Sequence, residues 1–505
     1  FAGLREKLPY LKELGVKVVE LMPIFEFDEM QDYRKVDGQE LCNYWGYNTV
    51  SFFAPNTSYT ASTEYNREGN ELKGLIREFN QNGIEVYLDV VFNHTAEGNE
   101  EGPFFSFKGF DNNIYYMLTP DGKYYNFSGC GNALNCNHPI VRQMILDCLR
   151  YWVTTYRVDG FRFDLASILS RNEDGTPMSN PPLLQSLAFD PILGDVKLIA
   201  EAWDAGGLYQ VGSFPSWNRW AEWNGGYRDD LRRYLKGDAG MAQAAVQRIS
   251  GSQDIYGALS RENASVNFIT CHDGFTLHDL FSYNTKHNEK NGWNNTDGAN
   301  DNNSWNCGVE GETNDPAILA LRYRLMRNAF AILMCSRGIP MFLAGDEFCN
   351  SQFGNNNAYC QDNITSWLDW RLLSRNRGMF RFFQYMIGFR KSHRVLRTNI
   401  SGGALGFPDV SFHGTEPFRE RFEDYDRYVG VMFAGQEKGQ RPEVVYLASN
   451  AYWEELAVTL PALPWEMHWE IAADTWEEEQ RPGKIVRGSL LIKARSVVVL
   501  VGKTG

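Results

Sequence analysis

The chain has 505 residues, enough for a large buried core and more than one domain, and its 32 Phe, 25 Tyr and 14 Trp exclude an intrinsically disordered protein. The formal net charge of -14 argues against nucleic acid and anionic membranes as partners, because phosphate binding requires clustered Lys and Arg. A neutral carbohydrate fits better, since carboxylates, amides and aromatic rings bind it.

In chain order, strand and helix patterns alternate from the first residues onward. The helix pattern "LREKLPYLKELG" comes directly before a strand pattern, "KVVELMPIF". Further strand patterns follow in "IEVYLDVVF", "GFRFDLAS", "KLIAEAW", "SVNFITCHD" and "IPMFLAG", and a seventh strand is expected near "WAEWNGGYRDD". Apolar strands that alternate with helices predict a parallel sheet.

Three helices between these strands have readable ends or faces. The first, in "ELKGLIREFNQNG", has one apolar face and ends before Gly83; the face consists of Leu72, Leu75, Ile76 and Phe79. The second is expected to start with Asn137 as its cap, and its apolar face consists of Val141, Met144, Ile145, Cys148, Leu149 and Trp152. The third begins at Asp315 and Pro316 and ends by Gly338.

The fold class that fits this alternation is a (β/α)8 TIM barrel. Such a barrel has eight strands, and because the chain opens on a helix pattern, we expect its first strand to be absent here. We assign residues 1–394 to the barrel, with long polar loops at 95–136 and 286–316 that are either functional or merely flexible. A doubly wound sheet is the rival architecture, but it gives no reason for acidic residues at several strand ends.

The pattern changes after about residue 395. The segments "RYVGVMFAG", "EVVYLASNAYW", "LAVTLPAL", "WEMHWEIAAD" and "SLLIKARSVVVLVG" are strands separated by turns, without helices. Residues 395–505 are therefore predicted to form an antiparallel β-sandwich.

The nine cysteines form no CxxC pair and no zinc-like spacing with histidine. Free thiols in a reducing cytosol are the simpler account, which predicts a cytoplasmic protein. No apolar run reaches the roughly 18 residues of a membrane span.

The stretch "GFRFDLAS", residues 160–167, alternates apolar and charged side chains. Phe161, Phe163 and Leu165 are expected on one face and Arg162 and Asp164 on the other. A structural ion pair would explain it in isolation, but a buried charge pair is costly to desolvate.

Other strands end in polar residues too, and a barrel concentrates its chemistry at that face. The strand-end candidates are Asp89, Asn93, His94, Arg162, Asp164, Glu201, Asp204, His272 and Asp273. A single one of them could be a structural residue, whereas a repeated set predicts a pocket. A metal site is the alternative for such a cluster, but neither paired histidines at helical spacing nor a calcium-loop pattern supports it.

Three carboxylates suit cleavage of a glycosidic bond with retention of configuration. Arg162 favours the ionised form of Asp164, which we assign as the nucleophile. Glu201 would donate the proton to the leaving oxygen, which requires a raised pKa. Asp273 would gather the sugar hydroxyls and stabilise the positively charged transition state.

The motifs "DVVFNH" (89–94), "GFRFDLAS" (160–167), "AEAWD" (200–204) and "FITCHDG" (268–274) resemble, in order and spacing, the four signature regions of the α-amylase superfamily, glycoside hydrolase family 13. Within it, "ELMPIFEFDE", "NYWGYNTVSFFAP" and "NNSWNCGVEGET" resemble the isoamylase and glycogen debranching branch, closer in appearance to the bacterial enzymes. The resemblance covers nearly the whole chain.

The resemblance implies hydrolysis of α-1,6 branch linkages in glycogen or amylopectin by double displacement, without an organic cofactor. It implies the same roles for Asp164, Glu201 and Asp273. It also implies that the sugar at the cleavage point is bound by Tyr47, His94, Arg162 and His272, with Asp89 supporting Arg162. Trp203 is a candidate for the leaving-group side.

Two other functions remain open at this stage. A glycogen branching enzyme of the same superfamily uses the same three carboxylates, although the debrancher-like motifs favour hydrolysis. A noncatalytic glucan-binding subunit would be expected to lose catalytic residues, and all three are present. The resemblance also implies an N-terminal β-sandwich module and a first barrel strand, neither of which we find in this sequence.

Overall fold

The computed structural model describes residues 1–257, 264–400, 405–419, 421–437, 439–464 and 467–504. The chain divides into two compact units, Phe1–Trp223 with Tyr359–Gln361, and Asn224–Ala358 with Asp362–Gly505. The predicted boundary near residue 394 stays a prediction.

Nine strands and six α-helices form the described part of the first unit. The strands are β1 (Val18–Leu21), β2 (Phe25–Phe27), β3 (Arg34–Val36), β4 (Gln39–Leu41), β5 (Thr49–Pro55), β6 (Glu85–Val90), β7 (Gly160–Phe163), β8 (Lys197–Ala200) and β9 (Trp220–Trp223). The helices are α1 (Ala2–Glu6), α2 (Leu8–Leu14), α3 (Glu68–Gln81), α4 (Phe107–Tyr115), α5 (Pro139–Tyr151) and α6 (Pro182–Phe189).

Five strands of this unit form a parallel ladder in the order β1, β6, β7, β8, β9. Helices precede or connect these strands, and their apolar faces close over the sheet. The predicted face of α3 is fully buried, because its apolar residues recur at helical spacing. The strand expected near "WAEWNGGYRDD" is β9.

The start of α5 differs from the prediction. The cap is His138, whose Nδ1 accepts a hydrogen bond from the backbone N–H of Ile140 at 3.3 Å. Asn137 was the wrong choice because its amide instead donates to the carbonyl oxygens of Leu169 and Arg171. The predicted apolar face of α5 is buried, with Met144 only partly so.

The second unit continues with ten described strands and seven described α-helices. The strands are β10 (Ser265–Phe268), β11 (Ile339–Met341), β12 (Val410–His413), β13 (Tyr428–Gly435), β14 (Glu443–Asn450), β15 (Leu456–Thr459), β16 (Met467–Asp474), β17 (Lys484–Val486), β18 (Ser489–Ile492) and β19 (Ser496–Thr504). The helices are α7 (Gly225–Lys236), α8 (Ala242–Ile249), α9 (Gln253–Tyr256), α10 (Leu277–Leu280), α11 (Pro316–Cys335), α12 (Arg371–Arg375) and α13 (Arg377–Ser392).

Strands β10 and β11 pair in parallel, so seven described strands belong to parallel ladders, five in the first unit and two in the second. This count confirms the seven strands predicted. Helix α11 begins, as expected, with Asp315 accepting hydrogen bonds from two backbone N–H groups of the first turn.

The C-terminal strands confirm the antiparallel prediction. Six of them pair in the order β12, β13, β14, β19, β16, β17, and β15 pairs with β18. Val458 and Ile492 of the smaller pair share one apolar core with Met432 and Trp469 of the larger sheet, which gives the two layers of a sandwich. The first two residues of "WEMHWEIAAD", 465–466, lie outside the described residues.

Within the described ranges, no helix combines the length and apolar character needed to cross a membrane.

Candidate active site

The register of the parallel ladder brings the strand-end residues of the first unit together. Asp89 of β6 lies opposite Arg162 of β7. The ladder continues one residue beyond β7 and β8. The N–H of Asp164 donates to the carbonyl oxygen of Val90 at 3.0 Å, and the N–H of Glu201 donates to the carbonyl oxygen of Phe163 at 3.1 Å. The carboxylates predicted from the sequence therefore follow adjacent strands at the same level of the sheet.

Arg162 is the centre of this cluster and is fully buried. Its Nη1 lies 2.9 and 3.0 Å from the two carboxylate oxygens of Asp89 and 3.2 Å from Oδ1 of Asp164, and its Nη2 lies 3.0 Å from Oε2 of Glu201. The guanidinium also stacks on the ring of Trp223, 3.9 Å from the ring centroid. One cation thus contacts three buried carboxylates.

Asp89 forms an ion pair with Arg162. It is buried and also accepts a hydrogen bond from the hydroxyl of Tyr47 at 2.5 Å. Burial raises the pKa of Asp89 to about 7, although Arg162 acts in the opposite direction. Tyr47 therefore contacts the cluster through its hydroxyl, and its binding of a sugar stays a prediction.

Asp164 is held in place from two sides. Besides its contact with Arg162, its Oδ2 accepts a hydrogen bond from the side-chain amide of Asn93 at 2.8 Å, and the same amide donates to its backbone carbonyl at 2.9 Å. A carboxylate fixed in this way can present one oxygen in a defined direction.

Glu201 is fixed by the segment that follows Asp164. Its Oε2 accepts a hydrogen bond from the backbone N–H of Leu165 at 2.8 Å. Leu165 has φ of 40°, so it leaves the strand instead of continuing the alternation with Phe161 and Phe163, and its side chain is only partly buried. The predicted alternation is wrong at this residue because the turn points the N–H of Leu165 at Glu201.

His94 is buried beside Asp164 and Tyr47. Its Nδ1 lies 2.6 Å from the amide oxygen of Asn93 and its Nε2 lies 2.9 Å from the carbonyl oxygen of Tyr47. Burial lowers the pKa of His94, but Cys130 and Asp164 outweigh this and raise it to about 9. A protonated ring, with both nitrogens donating, satisfies both of these oxygen acceptors.

Sequence reasoning gave no role to four residues that the structure places in this cluster: Asn93, Trp223, Cys130 and Glu20. Asn93 stood among the strand-end residues and could have been found from its neighbours. Glu20 of β1 lies opposite Tyr87 of β6, and burial raises its pKa to about 7 while Arg162 lowers it. Trp223 and Cys130 lie too far along the chain for a local pattern to reveal them.

His272 and Asp273 belong to the second unit, where they follow β10. His272 is partly buried and Asp273 is exposed. The Sγ of Cys271 donates to the carbonyl oxygen of Asp273 at 3.2 Å, and the N–H of Gly274 donates to that of Asn356 at 3.0 Å, so the turn is fixed by hydrogen bonds on both sides. Their convergence with the carboxylates of the first unit stays a prediction.

The cluster of the first unit is suited to acid–base and nucleophilic chemistry near a developing positive charge. Asp89, Asp164 and Glu201 together carry more potential negative charge than the guanidinium of Arg162 balances. A site of this kind favours a cationic transition state, as in the cleavage of a glycosidic bond.

Comparisons with known proteins agree with this chemistry. The family model "Alpha amylase, catalytic domain" matches residues 1–123 and 99–371. Isoamylase 1, chloroplastic, of Oryza sativa subsp. japonica is 46% identical over 501 residues, which cover 94% of this chain and 61% of that protein. A glycogen operon protein GlgX homolog of Mycobacterium bovis is 44% identical over 500 residues, which cover 94% of this chain and 68% of that protein.

Among solved structures, the pullulanase from Bacillus acidopullulyticus superposes with a TM-score of 0.73 at 23% identity, covering 98% of this chain and 55% of that one. This likeness confirms the α/β barrel with a C-terminal antiparallel sheet. The chain spans about 61% of the length of the rice isoamylase.

Proposed function

The chain belongs to the α-amylase catalytic-domain family of glycoside hydrolases, and on that premise we propose that the complete protein hydrolyses α-1,6 branch linkages of glycogen or amylopectin. The observation that carries the proposal is the single guanidinium of Arg162 shared by Asp164 and Glu201 at the ends of adjacent strands. The isoamylase and GlgX names of relatives at 44 and 46% identity support this substrate class.

The proposed reaction has two displacements at the same carbon. A carboxylate oxygen of Asp164 attacks the anomeric carbon, while Glu201 gives its proton to the departing 6-oxygen of the glucan chain. The product is a glucosyl ester of Asp164. Glu201 then takes a proton from water, whose oxygen attacks the anomeric carbon and releases Asp164, so configuration is retained.

The roles of the other residues follow from their contacts. Arg162 lies 3.2 Å from the carboxylate of Asp164 and is held by Asp89, which Tyr47 orients through its hydroxyl. His94 is proposed to bind the sugar at the cleavage point, which requires its ring to share or give up its hydrogen bond to Asn93 or to Tyr47. His272 and Asp273 are proposed to complete that site, with Asp273 stabilising the cationic transition state.

The aromatic pair beside Glu201 is a proposed part of the leaving-group side. Trp203 and Tyr209 pair across a short antiparallel bridge, with ring centroids 6.1 Å apart and an interplanar angle of 13°. The backbone N–H of Trp203 donates to the carbonyl oxygen of Glu201 at 3.0 Å, so a tight turn joins Glu201 to this aromatic pair. No organic cofactor is required, and we propose a cytoplasmic location.

The test is the change in iodine staining caused by the purified protein. Debranching deepens the blue of amylopectin, branching reddens amylose, and a noncatalytic binding subunit changes neither. Asp164→Asn should abolish turnover while the circular dichroism spectrum stays unchanged. Reddening of amylose by the unaltered protein would replace the proposal with the branching reaction, and turnover by Asp164→Asn would remove Asp164 from the mechanism.

A further inference from the structure

A cavity lies in the second unit, between the last turns of α13 and the strands β16 and β19. Its volume is about 410 Å³, within the range of roughly 300–1,000 Å³ typical of small-molecule sites. Its walls include Tyr385, Phe389 and His393 of the α13 side, and Glu470 and Lys503 of the sheet. None of these residues belongs to the proposed catalytic machinery.

The rings of this groove are held in place by contacts within the protein. The hydroxyl of Tyr385 donates to the carbonyl oxygen of Ala472 at 2.6 Å. The ring of His393 lies over that of Phe389, with centroids 4.1 Å apart, and its Nδ1 lies 2.9 Å from the carbonyl oxygen of Phe389. Phe389 is itself buried beneath the ring of His393, so a ligand would meet the rings of His393 and Tyr385, which need little ordering.

Gly388, in the interior of α13, also lines the groove. A Cβ added at Gly388 would meet no heavy atom within 4 Å, so packing within the protein does not require a glycine. Glycine inside a helix costs about 1 kcal/mol relative to alanine. The missing side chain leaves space in the groove wall at the expense of helix stability.

The polar groups indicate the chemistry of a ligand. Burial lowers the pKa of His393, so its ring is neutral at pH 7, and because Nδ1 donates to a carbonyl, Nε2 is an acceptor. Glu470 and Lys503 contribute charges of opposite sign, which favour neither an anion nor a cation. Flat rings combined with balanced polar groups suit a neutral molecule with many hydroxyls.

We propose that this groove binds a linear segment of α-glucan at a site separate from the catalytic cluster. The choice of glucan among neutral polyols rests on the proposed function. Such a site would retain a branched polymer by one chain while another chain is cleaved, which raises the effective concentration of branch points. Short substrates that cannot reach both sites would gain nothing from it.

Hydrogen exchange with maltoheptaose tests the proposal on the whole chain. We expect slower deuterium uptake in residues 384–393 and 467–474 of the unaltered protein. Gly388→Leu should fill the groove and abolish this protection. Gly378→Leu is the matched control, since Gly378 lies in the same helix, does not line the groove, and a Cβ added there would likewise meet no heavy atom within 4 Å.

A kinetic comparison gives a second readout. Gly388→Leu should lower the initial rate on amylopectin several-fold and leave the rate on a short branched oligosaccharide unchanged. If Gly388→Leu does not fold, Gly388→Ala, which favours the helix, serves for the same measurements with a smaller loss.

Absence of protection in the unaltered protein, or equal protection in Gly388→Leu, would overturn the groove proposal. Failure of the unaltered protein to hydrolyse any branched glucan would refute the proposed function instead, because the exchange measurement does not depend on turnover.

Discussion

Arg162→Lys tests whether catalysis requires one guanidinium that contacts all three carboxylates. The substitution keeps one positive charge, but a lysine offers a single nitrogen on a flexible stem instead of a planar fork. Arg162 uses Nη1 for Asp89 and Asp164 and Nη2 for Glu201, at distances of 2.9 to 3.2 Å. One ammonium cannot reproduce this arrangement, so at least one carboxylate loses its cation.

The expected effect follows from these contacts. A hydrogen bond to a charged group contributes roughly 1.5 to 3 kcal/mol, so loss of the two contacts to Asp164 and Glu201 gives about 3 to 6 kcal/mol in the transition state. Since each 1.36 kcal/mol is a factor of about ten in rate, kcat/KM should fall by roughly 10² to 10⁴.

The assay measures kcat/KM on a branched maltooligosaccharide from pH 4 to pH 9, with thermal unfolding to check the fold. Arg171→Lys is the matched control. Arg171 is also buried, pairs with Asp204 at 2.8 Å and stacks over the ring of Phe127 at 3.9 Å, and it has no described bond to the three carboxylates. Equal losses in both variants, or activity within tenfold of the unaltered protein for Arg162→Lys, would refute the reasoning.

Three further predictions concern stability. The pKa of His94 is raised to about 9, so its charged form contributes stability that is complete below about pH 6.5 and is lost as pH rises through 9. In urea unfolding, the free energy of unfolding of His94→Gln should therefore change less between these pH values than that of the unaltered protein. An equal change with pH in both proteins would contradict this. The pKa of Glu310 is lowered to about 2, despite burial, by backbone and side-chain hydrogen bonds, so its contribution to stability is present above about pH 4.5 and is lost on acidification towards 2. Because the side chain is partly exposed, Glu310→Gln should lower the free energy of unfolding by only about 1 to 2 kcal/mol at pH 7 and by little at pH 2. Thermal unfolding at both pH values measures the difference. Gly160→Ala would place its Cβ 2.7 Å from the ring of Tyr87 and should lower the free energy of unfolding in urea by about 1 to 3 kcal/mol. Gly109→Ala is the control, because a Cβ there would meet no heavy atom within 4 Å and should not destabilise the protein.

Local patterns were sufficient to predict the framework of the first unit. The spacing of Leu72, Leu75, Ile76 and Phe79 predicted the buried face of α3, because a helix with one apolar stripe has one way to bury it. The strand-end positions of Asp89, Arg162, Asp164 and Glu201 followed from the rule that parallel strands bring their carboxyl ends to one edge.

Details that depend on contacts between distant segments could not be predicted in this way. Asn137 is a residue type that often caps helices. Its side-chain amide instead donates to carbonyl oxygens of a loop more than 30 residues away, and His138 caps α5. Trp223 stacks on Arg162 from a strand 61 positions along the chain. The left-handed conformation of Leu165 exists because its N–H binds Glu201, a pairing that no local alternation reveals.

The charge distribution of the cluster explains why one buried arginine serves both folding and chemistry. Burial raises the pKa of Asp89 to about 7 even with Arg162 present, so without this cation the neutral form of Asp89 would be favoured further. With it, the carboxylates of Asp89, Asp164 and Glu201 are held in fixed positions around one cation. Groups fixed in this way can meet a positive charge that develops on the substrate without reorganising, so the arrangement is most favourable in the transition state.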